Sequence, residues 1–501
     1  MTSKLTKLLQ KYYEKLTVLR AFESAQSILS WDRETYIPKG AAVDRGETMS
    51  VLAGFTHELF TDKKFVQVVD GLLEHRDELS PLEKRSLHLV KRDLDKSTKL
   101  PKEFVEETQT VMNAGHTAWL EAKAKDDFEI FRPLLAKVVE NRRQYAEYLQ
   151  PNKNPYDVNL DDYEEGLTSA KLEPLFSQLK YGIGEILPEI LQLQLKKAAV
   201  KNPLDTFQAD PHALQKFIHE MLEQIGFDWS RGAMGSVEHP FEISISANDI
   251  RLNTHYETTH HSYTLTGMIH ELGHGLYEQN IDPQYVKPGL GHGVTLGIHE
   301  SQSRLLENMI GRSTSFWKYF FPKLQNHFPQ LKSAQVEDVV TALNRVSQSL
   351  IRTEADEVTY NLHIILRFEL EKELIHGRLA VKDLPEVWRA KMKELLGVEP
   401  KTNREGVLQD VHWSWGNFGY FPTYTLGNLN AAQLWHTFVE THPKWSESIE
   451  NGDFHPYFKW FKEHVWQYGA FYEPDVLIQK ATAKTTSADY LLRYLKEKYL
   501  P

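Results

Sequence analysis

The chain has 501 residues, 41% hydrophobic and 25% charged, with 58 Lys+Arg against 69 Asp+Glu for a formal net charge of -11. That is length enough for a large core and a composition that excludes a disordered chain, while the acidic excess disfavours nucleic acid as the main partner. The absence of cysteine excludes disulfides, thiolate metal ligands and cysteine nucleophiles, and fits a reducing cytoplasm.

The N-terminal stretch interrupts its apolar residues with lysine, tyrosine and glutamate too often for a signal peptide, and no run reaches the roughly 18 apolar residues of a membrane span. A cytoplasmic protein with no membrane partner is expected. Leu5, Leu8, Leu9, Tyr12, Leu16 and Leu19 recur at spacings of three and four, which predicts an amphipathic helix. The same spacing predicts helices over 104–124, 128–149, 172–195 and 211–225, and one long helix over 336–374. The fold class is therefore mainly α. Pro151 to Pro155 and Glu399 to Thr402 are turn clusters, and nothing between them marks an independent domain.

One segment breaks the helical pattern. Glu238 to Tyr256 alternates Phe241, Ile243 and Ile245 with polar residues, turns at Ala247-Asn248-Asp249 and resumes with Ile250 and Leu252, which predicts a small β-hairpin. It stands just before MIHELGHGLYEQN (Met268 to Asn280), where an extended peptide can add a strand to a sheet edge.

His270 and His274 are four apart, so one helix face aims both imidazoles at one ion. Glu271 lies one step round the helix, placed to take a proton from a metal-activated water as general base. Leu265, Met268, Ile269, Leu272 and Leu276 form an apolar stripe beside them, which predicts a buried helix. Gly273 and Gly275 each cost a helix about 1 kcal/mol, so each is expected against a closely packed neighbour.

A catalytic zinc needs a third protein ligand and an open position. Glu300, 26 residues beyond His274 at the start of a second predicted helix, is the candidate, with His299 and Glu307 as rivals. Cobalt or manganese can replace zinc on such a set. The His260-His261 pair and His292 are expected to be loop residues with no metal role.

HELGH at 270–274 followed by HESQSR at 299–304 resembles the thermostable carboxypeptidase (M32) family of metallocarboxypeptidases. Further stretches of the resemblance are His239-Pro240-Phe241, DIRLNT with Asp249, Arg251 and Thr254, IRTEAD from Ile351, GVLQDVHW from Gly406, WDRETYIPKGA from Trp31 and PYDVNLDDYEEG from Pro155. The resemblance implies one peptidase domain over 1–501, its helical part of about 1–230 covering a deep substrate groove and its catalytic part spanning about 231–501. It also implies a homodimer that releases C-terminal residues from peptides with broad specificity, and it strengthens Glu300 as third ligand.

Arg352 is the candidate cation for the substrate carboxylate, read as a mid-helix residue whose fork is steadied by Asp356 four residues on. Arg251 is the alternative anchor, and His239 and Tyr424 are candidate peptide contacts. Tyr420 or His412, in the aromatic segment 412–424, is expected to stabilise the oxyanion. Asp249, Asp356 and Asp410 are expected to orient ligand imidazoles or arginines. The competing readings are a helical zinc oligoendopeptidase, which would also cut C-terminally amidated peptides, and a non-enzymatic helical binding protein, which would hold no metal.

Overall fold

Apolar stripes at helical spacing give long helices, and polar residues at their ends stop them. The computed structural model describes residues 3–196, 201–257 and 259–501. Its helices are α1 (Ser3–Thr35), α2 (Ala42–Phe60), α3 (Lys63–Glu74), α4 (Pro81–Lys99), α5 (Lys102–Lys125), α6 (Phe128–Leu149), α7 (Pro155–Leu160), α8 (Ser169–Lys196) and α9 (Pro211–Ile225), then α10 (His261–Gln279), α11 (Leu296–Arg304), α12 (Thr314–His327) and α13 (Val336–Leu343). They continue through α14 (Tyr360–Ile375), α15 (Leu384–Leu396), α16 (Pro422–Thr441), α17 (Trp445–Glu450), α18 (His455–His464), α19 (Pro474–Thr482) and α20 (Ala488–Tyr499). Ser80 and Glu83 close a reciprocal capping box on α4, and Asp127 and Asp210 cap α6 and α9.

The predicted helix over 336–374 is two helices with an irregular stretch between them. Asp356 is the reason. Its carboxylate accepts backbone N–H bonds from Ser347 at 3.0 Å, Val358 at 2.9 Å and Thr359 at 3.0 Å, and so anchors the start of α14 rather than an arginine. Such local side-chain-to-backbone bonding competes with the helix ladder, which periodicity alone does not register.

The predicted hairpin is present as β2 (Phe241–Ser246) and β3 (Asp249–Thr254), and a strand the hydrophobic pattern did not predict, β1 (Gly232–Ser236), pairs parallel with β3 to give the order β1-β3-β2. Ile250 and Leu252 of β3 are buried against α10, whose whole predicted stripe, Leu265 to Leu276, is sealed from solvent. A small sheet therefore lies beside the HELGH helix of a mainly helical fold.

One apolar cluster runs from Met112 to Leu495, and a second is built mainly from α1, α3 and α4, with Leu5, Tyr12, Phe65, Val69 and Leu87 among its buried residues. The two meet through polar contacts. Arg85 donates to both oxygens of Glu165, at 2.7 and 2.6 Å, and to the Ala470 carbonyl at 2.9 Å. Trp31 donates to Asn253 at 2.8 Å. Between α1, α2 and α4 on one side and Glu278, His299 and the loop 286–295 on the other lies a cavity of about 1090 Å³. Among the described residues no helix is long and apolar enough to cross a membrane.

Candidate metal centre

Two helices build the centre, and glycines let them close. A Cβ on Gly273 of α10 would stand 2.5 Å from the Gln302 carbonyl and the Ser303 Cα of α11, and one on Gly275 would meet Leu252 at 2.8 Å. Both predicted close approaches are present. A third, Gly427 on α16, was not predicted; its Cβ would meet the Glu300 side chain at 2.6 Å. Glu300 is thus held between α10 and α16.

The imidazoles of His270 and His274 each place Nε2 at 3.5 Å from Oε2 of Glu300, and one donor atom from each of the three residues lies within 4.8 Å of the others. Arg304 donates to the other oxygen of Glu300 at 2.7 Å. The rival third ligands sit behind the imidazoles instead. Glu307 lies 3.0 Å from Nδ1 of His270 and also accepts from Arg312 at 2.8 Å, while His299 meets Nδ1 of His274. Glu307 belongs to a π-helical turn, Leu305–Ile310, that continues α11. Such turns concentrate at functional sites.

With both Nδ1 atoms engaged, both Nε2 atoms face the point where the donors meet, and the set suits a divalent ion with an open position. The electrostatics agree. Burial alone would lower His270, yet the Glu300 and Glu307 carboxylates raise it to about 10, so the pocket favours a positive charge there. Burial pushes His274 down to about 3 and Glu271 up to about 7.

A second group stands beside Glu300. The Arg304 guanidinium stacks 4.6 Å from the Tyr360 ring, and the Tyr360 hydroxyl accepts from Arg352 at 3.0 Å. Arg352 lies on a 3-10 turn, Arg352–Glu354, not within a helix, and its fork is held by Asp410 at 2.9 Å rather than by Asp356. Asp410 shares its second oxygen with Arg367, and Gln409 accepts from Arg367 at 2.8 Å. Burial would raise Asp410, but the two guanidiniums hold it well below the carboxylate range.

The rings of Tyr420 and Tyr424 pack edge to face with centroids 5.5 Å apart, and both feel the charge of Glu300. His412 packs 5.2 Å from the Tyr420 ring; burial pushes it down to about 4, and its buried Nδ1 has no partner. The loop carrying these groups wraps around Glu371, which accepts from Trp413 at 2.8 Å and from the Gly419 amide at 2.9 Å.

Three expected residues lie apart from this group. Arg251 forms a two-bond pair with Asp249, both at 2.8 Å, and stacks 4.2 Å from Trp31. His239 is exposed on the loop before β2, where Pro240 packs 3.6 Å from the Cβ position of Gly267 on α10. His261 is buried at the start of α10, facing the Phe207 carbonyl at 3.1 Å, and is not a loop residue; His292 is in a loop as expected. Sequence reasoning missed Glu278, Arg304, Tyr360 and Arg367. Glu278 had a signal, four residues beyond His274 on the same face; Tyr360 and Arg367 had none.

The family model for carboxypeptidase Taq (M32) metallopeptidases matches residues 10–499. Thermostable carboxypeptidase 1 of Pyrococcus furiosus is 37% identical over 481 residues, 96% of this chain and 96% of that protein. Carboxypeptidase 1 of Bacillus subtilis is 36% identical over 494 residues, 98% of this chain and 97% of that protein. The crystal structure of M32 carboxypeptidase from Deinococcus radiodurans R1 superposes with a TM-score of 0.94 at 34% identity, covering 98% of this chain and 99% of that one.

Proposed function

Because this chain belongs to the carboxypeptidase Taq (M32) metallopeptidase family, we propose that it releases residues one at a time from peptide C-termini with broad specificity, using zinc held by His270, His274 and Glu300. The observation that carries the reading is the pairing of those three donors with a buried cluster of unbalanced charge. Arg352 is 7% exposed and Arg367 0%, and they share the single carboxylate of Asp410, which leaves one positive charge in excess. A buried excess charge is costly unless it meets a counterion, and a free peptide carboxylate is the matching one. His412, held neutral by burial, adds no competing charge.

When bound, the ion supplies Lewis acidity to the scissile carbonyl and to the attacking water; cobalt or manganese can stand in for zinc. Glu271, buried beside His270, accepts the water's proton and returns it to the leaving amine. Tyr420, or the unpartnered Nδ1 of His412, donates to the developing oxyanion. Arg352 takes the terminal carboxylate, with Tyr424 stacked 5.3 Å from its guanidinium as one wall. Arg251, committed to Asp249 and Trp31, is the lesser anchor, and His239, exposed before β2, is the further candidate for a peptide contact.

The cavity of about 1090 Å³ between the first helices and the metal helices takes the rest of the peptide. The reading extends to one peptidase domain over the whole chain, with its first helices covering the groove, and to a cytoplasmic homodimer. Helix α2 has no buried residue and exposes Val43, Val51 and Phe55, a face suited to a second copy.

Mass spectrometry of a free-acid peptide and its C-terminal amide tests the assignment. The wild type is expected to shorten only the free acid, in single-residue steps, and Glu271→Gln to lose at least about 1000-fold in rate. Steady cutting of the amide would make the oligoendopeptidase the correct reading.

A further inference from the structure

We infer that His299 and Glu278 form a positioning pair that fixes the tautomer and ring orientation of His274, and through it the affinity of the centre for a divalent ion. The inference rests on the metal reading of His270, His274 and Glu300. Nε2 of His274 points at Glu300, so Nδ1 is the only nitrogen left for support, and it faces Nδ1 of His299. One of these two nitrogens must donate and the other accept.

Glu278 decides which. Its Oε1 lies 3.1 Å from Nε2 of His299 and also accepts the Gly293 amide at 2.8 Å. The arrangement that keeps the Nε2 lone pair of His274 for the ion has the His299 proton on Nε2, toward the Glu278 carboxylate, and a lone pair at its Nδ1. His274 donates from Nδ1 into that lone pair, and its Nε2 lone pair is left for the ion. Glycine at 293 is part of the arrangement, because a Cβ there would stand 2.5 Å from the His299 ring.

His270 is served differently. Its Nδ1 meets the Glu307 carboxylate directly, an acceptor that permits only one tautomer. His274 has an imidazole rather than a carboxylate behind it, so the orientation of that imidazole passes to Glu278, four residues beyond His274 on α10. HELGHGLYE thus carries two ligands and the group that orients one of them.

The test is the affinity of the full-length metal-free protein for Zn²⁺ by chelator competition, with the absorption spectrum of the Co²⁺ form as a second readout. His299→Phe and Glu278→Leu are each expected to weaken Zn²⁺ binding by about 10- to 100-fold and to change the Co²⁺ bands. His299→Gln, whose amide oxygen can accept from His274, and Glu278→Gln, which keeps an acceptor, are expected to recover most of the loss. Melting of the metal-free variants reports folding, and if His299→Phe does not fold the two Glu278 variants decide. Wild-type affinity and an unchanged Co²⁺ spectrum in Glu278→Leu would overturn the inference. If His270→Ala also bound Zn²⁺ like the wild type, the metal reading itself would fall; if only His270→Ala lost binding, the pair alone would fall.

Discussion

Burial and partners pull equally buried carboxylates in opposite directions. Glu271 rises to about 7 because desolvation outweighs the charges of His270 and His299, whereas Asp410, also enclosed, is held down by Arg367 and Arg352. The charge left over on the arginines leads to a prediction at Arg352. Arg352→Met should raise KM for a free-acid peptide by about 10- to 100-fold, corresponding to about 1.5 to 3 kcal/mol of lost carboxylate binding, with a smaller effect on kcat. Initial rates over a range of peptide concentration check it; an unchanged KM would show that another group holds the carboxylate. The spacing of Arg352 and Asp356 pointed to the wrong partner, because four residues apart means contact only within a helix. Here α14 begins after the pair, and Asp410, far away in sequence, takes the place of Asp356.

At the scale of elements, the approach of α10 to α11 is set by Gly273, where the nearest atoms to an added Cβ are backbone and cannot rotate away. Gly273→Ala would gain helix propensity of about 1 kcal/mol at an ordinary site, yet here it should destabilise the protein by about 2 to 4 kcal/mol through forced separation of the two helices. Urea unfolding of the metal-free protein gives that number, and a stabilised variant would refute the close contact. Metal affinity should fall as well, because the separation moves Glu300 away from both histidines. The requirement for something unusual at Gly273 was legible in the sequence, since glycine is a poor helix residue. Its partner was not, and neither was Gly427, whose neighbour Glu300 is supplied by a different helix.

For the whole molecule, the joint between the first four helices and the rest is polar, so it is open to pH. Burial would raise Glu165, but hydrogen bonds from His88 and Arg85 and their charges hold it at about 2 against an ordinary 4.5. A depressed folded-state pKa contributes stability that is present above pH 4.5 and lost as pH falls toward 2. After solvent screening that contribution is about 1 to 2 kcal/mol. Glu165→Gln is therefore expected to speed hydrogen exchange across residues 3–99 at pH 7 while leaving α10 and α11 protected. The difference from wild type should shrink below pH 4.5. A uniform change over the chain, or none, would mean that the joint is held by other contacts.

The sequence by itself determined the helical class, the hairpin and the buried stripe of α10, and it singled out His270, Glu271 and His274 as candidates, because these follow from short-range periodicity along one segment; Glu300, on another helix, was favoured over His299 and Glu307 by the family resemblance. Tertiary structure decided the parts that depend on residues distant along the chain. It placed Glu307 and His299 behind the imidazoles of His270 and His274 rather than beside Glu300, and gave Arg352 to Asp410. It also gathered Tyr420, Tyr424 and His412 around a buried Glu371 and added a parallel strand to the hairpin. Local spacing encodes which residues share a face; which faces meet is fixed by packing, and packing is where the orientation of His270 and His274 and the charge around Arg352 are set.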